Sequence, residues 1–186
     1  MISGEWLDSK KVDQVEWWHY VDIIIPKQTT SSTGIMFIDG GEKSEDYFRL
    51  DAQSIQNAIK TEAVIVNVSN IPFQPLNFLS SEQDSFEEDD LIAFAWNKFL
   101  KQGAKQKDVE WLPRFPMTRA IVRAMDLAQE IVLQNDIVVK DFVVSGASKR
   151  GWTAWTTAAV DSRVKAVVPM VIDCLLYTSD AADDTP

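Results

Sequence analysis

Short runs dense in β-branched and apolar residues alternate along this chain with stretches whose apolar residues recur at helical spacing. That alternation restricts the fold more than any other feature. Residues 17–26 (Trp-Trp-His-Tyr-Val-Asp-Ile-Ile-Ile-Pro) read as a strand closed by Pro26, residues 34–41 as a strand ending in Gly40-Gly41, and residues 63–68, 138–144 and 164–172 as three more. Between them, Leu50, Ala52, Ile55, Ala58 and Ile59 predict a helix over 49–60, and Ile121, Met125, Ala128 and Val132 one over 118–133 behind Pro113 and Pro116. A small-residue helix is expected over 152–160, and another over 91–100, with acidic residues before it and Lys98 and Lys101 at its end, as the helix dipole favours. Strands this apolar are buried on both faces. The expected fold is therefore α/β, a three-layer, mostly parallel sheet with helices on both faces.

Composition narrows the function. At 186 residues and 46% hydrophobic content, one substantial core can form. The net charge of −10 opposes a polyanion, so nucleic acid is excluded as a partner. No apolar window reaches the roughly 18 residues of a membrane span. The single cysteine, Cys174, cannot close an internal disulfide, and the single histidine, His19, cannot build a multi-histidine metal site. No cofactor is expected. The acidic stretch over residues 82–90, with capping-box spacing at Ser85 and Glu88, fits a solvated helix start better than a hard-cation site.

The chemistry concentrates at Gly146-Ala147-Ser148-Lys149-Arg150-Gly151, which follows a strand and precedes a helix, the layout of a nucleophile elbow. There Ser148 would stand at the carboxyl end of a strand, over the positive end of a helix. The pattern departs from G-x-S-x-G because Arg150 takes the second place after the serine and the glycine arrives at Gly151. Spacing alone fits catalysis and a structural turn or anion-binding nest equally well. Gly40 and Gly41 could supply an oxyanion loop or merely a turn, and the amide of Lys149 is the second candidate oxyanion donor. Lys149 and Arg150 could hold an anion, or pair with acidic neighbours. No histidine follows Ser148, and His19, between Trp18 and Tyr20, reads as a packed core or edge histidine. Asp173 is the candidate acid, with a helix cap or strand-end turn as its alternative, whereas Asp161 lies at the opposite end of the sheet and is structural.

These residues resemble a known family, the PhoPQ-activated pathogenicity-related proteins, an α/β-hydrolase-like group. The resemblance is carried by Trp18-His19-Tyr20-Val21 with residues 23–26, Phe37-Ile38-Asp39-Gly40-Gly41, Ile71-Pro72 with Gln74-Pro75-Leu76, residues 90–100, residues 112–118, and Val122-Arg123-Ala124-Met125-Asp126. It continues through residues 146–155, 158–161 and 169–173. It implies an incomplete α/β-hydrolase fold, a serine nucleophile at Ser148, export to the periplasm or the extracellular space, and relatives that act as secreted signals. The Ser148, Lys149 and Gly151 arrangement is also similar to the elbow of glucuronoyl esterases, which implies carboxylic ester hydrolysis, with Lys149 assisting the oxyanion and a small-molecule or carbohydrate ester as substrate.

Members of that family are longer at both ends, so the chain is expected to be a fragment, with residues 1–173 forming a partial hydrolase-like domain. Residues 174–186 break the pattern and resemble translated adapter sequence, so a disordered or foreign tail is expected there. Two functions remain: a serine hydrolase whose histidine lies outside this chain, leaving the fragment inactive, or a non-catalytic exported binding or signalling protein on the same scaffold.

Overall fold

All five runs expected as strands contribute to strands in the computed structural model, which describes residues 1–43 and 52–172. The strands are β1 (Ile2–Glu5), β2 (Glu16–Trp18), β3 (Tyr20–Ile24), β4 (Thr33–Ile38), β5 (Ile65–Ser69), β6 (Asp141–Ala147) and β7 (Val164–Met170). The α-helices are α1 (Ala52–Thr61), α2 (Glu88–Lys101), α3 (Arg114–Leu133) and α4 (Lys149–Val160), with a 3-10 turn at Gln106–Trp111. Among the described residues no helix is long and apolar enough to cross a membrane.

The main sheet runs β3-β5-β4-β6-β7, parallel throughout except for β3, which is antiparallel to β5. From β4 the chain moves through α1 to β5 on one side; it then returns through α2 and α3 to β6 and continues through α4 to β7 on the other. Right-handed crossovers in opposite directions put α1 on one face and α3 with α4 on the other. The expected α/β architecture, a mostly parallel sheet with helices on both faces, is present. The direction of winding reverses between β4 and β6, the place where open α/β sheets hold their ligands.

The face under α3 and α4 is the better sealed. Met36 is paired with Val66 on one side and Val144 on the other, and Ile38, Val68 and Phe142 are buried on the same face. From α3, Ile121, Met125, Ala128 and Val132 are buried against it, as their spacing predicts. Ile121, Met125 and Val132 each contribute roughly 1.5–3 kcal/mol on burial, and Ala128 less.

Four local expectations are corrected. The run over 17–26 is not one strand: Trp18 pairs with Ile2 in a separate two-stranded sheet, while Tyr20 pairs with Ser69 in the main one. The break falls at His19, whose backbone N–H and carbonyl bond Met1 at 2.8 Å each instead of β5. Strand β6 lies three residues later than the pattern predicts, because Val139 packs into the core from outside the ladder. The turn expected over 146–151 shrinks to Ser148 alone, since β6 pairs with β7 as far as Ala147 and α4 starts at Lys149. No capping box forms at Ser85 and Glu88: Glu87 is the N-cap of α2, and the Glu88 carboxylate is drawn to Lys149 and Arg150. Asp173 and the tail expected over 174–186 lie outside the described residues.

Candidate functional site

The turn after β6 takes one residue because Ser148 adopts φ 53°, ψ −125°, a conformation that favours glycine and strains any other side chain. Its N–H donates to the Met170 carbonyl at 2.8 Å, and its own carbonyl accepts from Gly151 at 2.8 Å and Trp152 at 3.2 Å, starting α4. The side chain is left exposed. Directly after it, the Lys149 N–H belongs to the first-turn donors that a helix leaves without a partner of its own.

Two glycines make the bend possible. A Cβ on Gly146 would lie 2.7 Å from the Arg150 backbone, and one on Gly151 would lie 2.5 Å from Ile172 and 3.0 Å from the Gly146 carbonyl. Helix and strand touch here through bare backbone. The glycine displaced to Gly151 thus still lets the first turn of α4 close onto β6.

The β4–β6 register pairs Ile38 with Gly146, so two residues further on Gly40 comes alongside Ser148. The loop and the elbow meet: a Cβ on Gly40 would lie 2.6 Å from the Arg150 guanidinium. Of the expected oxyanion pair, Gly40 is engaged, its N–H donating to Asp39 Oδ1 at 2.8 Å, which leaves the Gly41 N–H as the loop's candidate donor. Gly41 sits at φ 119°, and its carbonyl accepts from Gln74 Nε2 at 2.8 Å.

Beneath the turn lies a cluster that the sequence pattern did not reveal. Glu88 receives Lys149 Nζ at 2.6 Å, Gln74 Nε2 at 2.8 Å and the Arg150 guanidinium, whose Nε also reaches the Ile71 carbonyl at 2.5 Å. Burial alone would raise the Glu88 carboxyl, but the bonds from Arg150, Lys149 and Gln74 outweigh it and hold its pKa down to about 2. Lys149 Nζ also lies 3.0 Å from Asp89 Oδ1, and its side chain is only 8% exposed. Of the two roles open to Lys149 and Arg150, the structure realises pairing with acidic neighbours: the ammonium expected to assist an oxyanion is held by two carboxylates. The cause is tertiary, since residues some sixty positions apart meet. The only hint in the sequence was an acidic helix start, which a solvated face explains as well.

Ser148 opens into a cleft of about 470 Å³ walled by α2, the start of α3 and α4, with Trp96, Arg114, Lys149 and Trp152 among its lining. A smaller crevice of about 250 Å³ lies on the α1 side, bounded by Asp39, Asn67, Ser69 and Ala147. The bare turn stands between them. Among the described residues no three His, Cys, Asp or Glu side chains gather as a metal site would require.

His19 is the packed core histidine its neighbours predict. Nδ1 lies 3.0 Å from the Asn70 carbonyl and Nε2 2.9 Å from Ser3 Oγ, which makes Nδ1 the protonated nitrogen and Nε2 the acceptor. Burial lowers its pKa to about 4 despite the Asn70 bond. Asp161 is structural, ending α4 and pairing with Arg163 at 2.7 Å.

The sequence matches the family model of the PhoPQ-activated pathogenicity-related proteins over residues 1–181. Autocrine proliferation repressor protein A of Dictyostelium discoideum is 36% identical over 179 residues, covering 94% of this chain and 35% of that protein. The chain therefore spans about a third of the length of the curated relative it matches. No solved structure matches it. With a family match reaching across nearly all of its residues and a relative of this similarity, the chain belongs to the PhoPQ-activated pathogenicity-related protein family.

Proposed function

We propose that Ser148 is the nucleophile of a serine hydrolase acting on carboxylic esters, built on an α/β-hydrolase scaffold whose central strands these residues supply. The observation that carries the reading is the strained, one-residue turn that leaves Ser148 exposed between β6 and α4 at the reversal of the sheet. Unfavourable backbone of this kind persists where function requires it. The ester class comes from the resemblance of the elbow to glucuronoyl esterases.

In this reading Ser148 Oγ attacks the ester carbonyl, and its proton passes to a base. The tetrahedral oxyanion is held by the N–H groups of Lys149 and Gly41, with the positive end of α4 behind it. Collapse expels the alkoxide, which takes the proton back from the base, and water then releases the acid by the same route reversed. The base is a histidine contributed by sequence beyond these residues, because His19 is buried and bonded to Ser3 and Asn70. Asp173 is a candidate for its orienting acid. No cofactor enters the reaction.

A fluorophosphonate probe tests this. A folded chain extended to the length of the relatives should label, and Ser148→Ala should abolish labelling. The 186 residues alone should label at least about a hundredfold more slowly, the usual contribution of a general base. A folded, extended protein that never labels would overturn the hydrolase reading. It would favour an exported, non-catalytic signalling protein, a second reading supported by the relative named for autocrine repression of proliferation.

A further inference from the structure

The cleft beside Ser148 contains a cation, Arg114, that no carboxylate among the described residues meets at ion-pair distance. Arg114 Nη1 donates to the Lys149 carbonyl at 2.7 Å, and its guanidinium lies over the Trp152 ring, 4.5 Å from the centroid. Among the described residues no carboxylate oxygen comes within ion-pair distance of it. Burial draws its pKa down to about 10, against the opposing charge of Asp89. A guanidinium offers five donors in a planar fork, and the Lys149 carbonyl takes one.

The local charge count points the same way. Lys149 and Arg150 are paired with Glu88 and Asp89, which leaves Arg114 as the cation of this cleft without a carboxylate in ion-pair contact among the described residues. Trp96 and Trp152, both partly exposed, and Ile92, Ala93 and Ile172 make the rest of the wall flat and apolar.

We propose that this cleft takes a monoanionic carboxylate borne on a flat apolar ring, the carboxylate seated on Arg114 and the ring against Trp96 and Trp152. This names the ligand class of the site read above as catalytic and rests on that reading only for its location. A single charge matches the one guanidinium left without an ion pair, whereas a phosphate dianion would bring a second negative charge into a cleft that Asp89 also lines. The planar fork matches a carboxylate through paired N–H bonds, and aromatic walls favour a ring over an extended chain.

The Ser148→Ala chain, titrated calorimetrically with 2-naphthoate, 2-naphthalenemethanol and inorganic phosphate, tests the proposal without any chemistry taking place. Naphthoate should bind at least about tenfold more tightly than the alcohol, the size expected for one charge-assisted pair, and phosphate should bind more weakly than either. Arg114→Gln should abolish the preference for the acid. Should that variant not fold, Trp96→Ala, on the exposed side of α2, should weaken naphthoate about fivefold while the preference survives. Equal binding of acid and alcohol, phosphate binding as tight as naphthoate, or an affinity for naphthoate indifferent to both substitutions would overturn it. Failed fluorophosphonate labelling alongside an intact preference for naphthoate would strike only the reactive serine.

Discussion

Ser148 occupies backbone space that a serine enters only at a cost of about 1–3 kcal/mol. Glycine has no such penalty at φ 53°, although it loses more freedom on folding. Ser148→Gly should therefore raise the stability of the fold by about 1 kcal/mol, while Ser148→Ala, which keeps the Cβ, should leave it nearly unchanged. Chemical denaturation of the three chains measures the difference. A destabilised glycine variant would mean that the turn is relaxed and the serine ordinary. None of this strain is visible in the sequence, where Gly146-Ala147-Ser148 reads equally as a soft polar turn.

At the scale of elements, the elbow depends on how closely α4 and β6 approach. The Cβ of Gly146→Ala would collide with backbone atoms of Arg150 at 2.7 Å, which cannot swing aside as a side chain can. That substitution should destabilise the fold by at least about 2 kcal/mol, whereas Gly103→Ala, at the exposed end of α2, should act only through its positive φ, at about 1 kcal/mol. Thermal melts of the two variants check the ordering. Much of this is legible in the sequence: apolar runs mark the five strands of the main sheet, apolar spacing marks α1 and the buried face of α3, charge pattern marks α2, and small residues mark α4. The break at His19 was not, because local pattern cannot reveal that its backbone would bond Met1 instead of β5. Nor was the role of Glu88, whose partners Gln74, Lys149 and Arg150 are brought to it only by the fold.

For the molecule as a whole, acid should be the weak point, and two groups define the window. His19 has a native pKa of about 4 against an ordinary 6.5, so below pH 6.5 the unfolded chain takes up a proton that the native one refuses. Stability should fall from pH 6.5 to about 4, by an amount on the order of 3 kcal/mol from this residue. Glu88, held near 2 against 4.5, extends the decline from pH 4.5 towards 2. Denaturant titrations at pH 7 and pH 4.5 should show the loss, and His19→Gln should flatten the upper part of the slope. Strand β7 is an edge of the sheet among the described residues, on which Val168 is 49% and Met170 45% exposed. An apolar edge invites pairing between copies, so sedimentation should reveal concentration-dependent association that Val168→Lys reduces.

That same flank touches the turn at which the nucleophile is proposed. The amide of Ser148 is clasped by the carbonyl of Met170, the last residue of β7. Among the described residues β7 has β6 as its one strand neighbour, so any peeling of β7 would loosen the backbone of the Ser148 turn before it disturbed the interior. The reactivity proposed for Ser148 and the integrity of this border should rise and fall together.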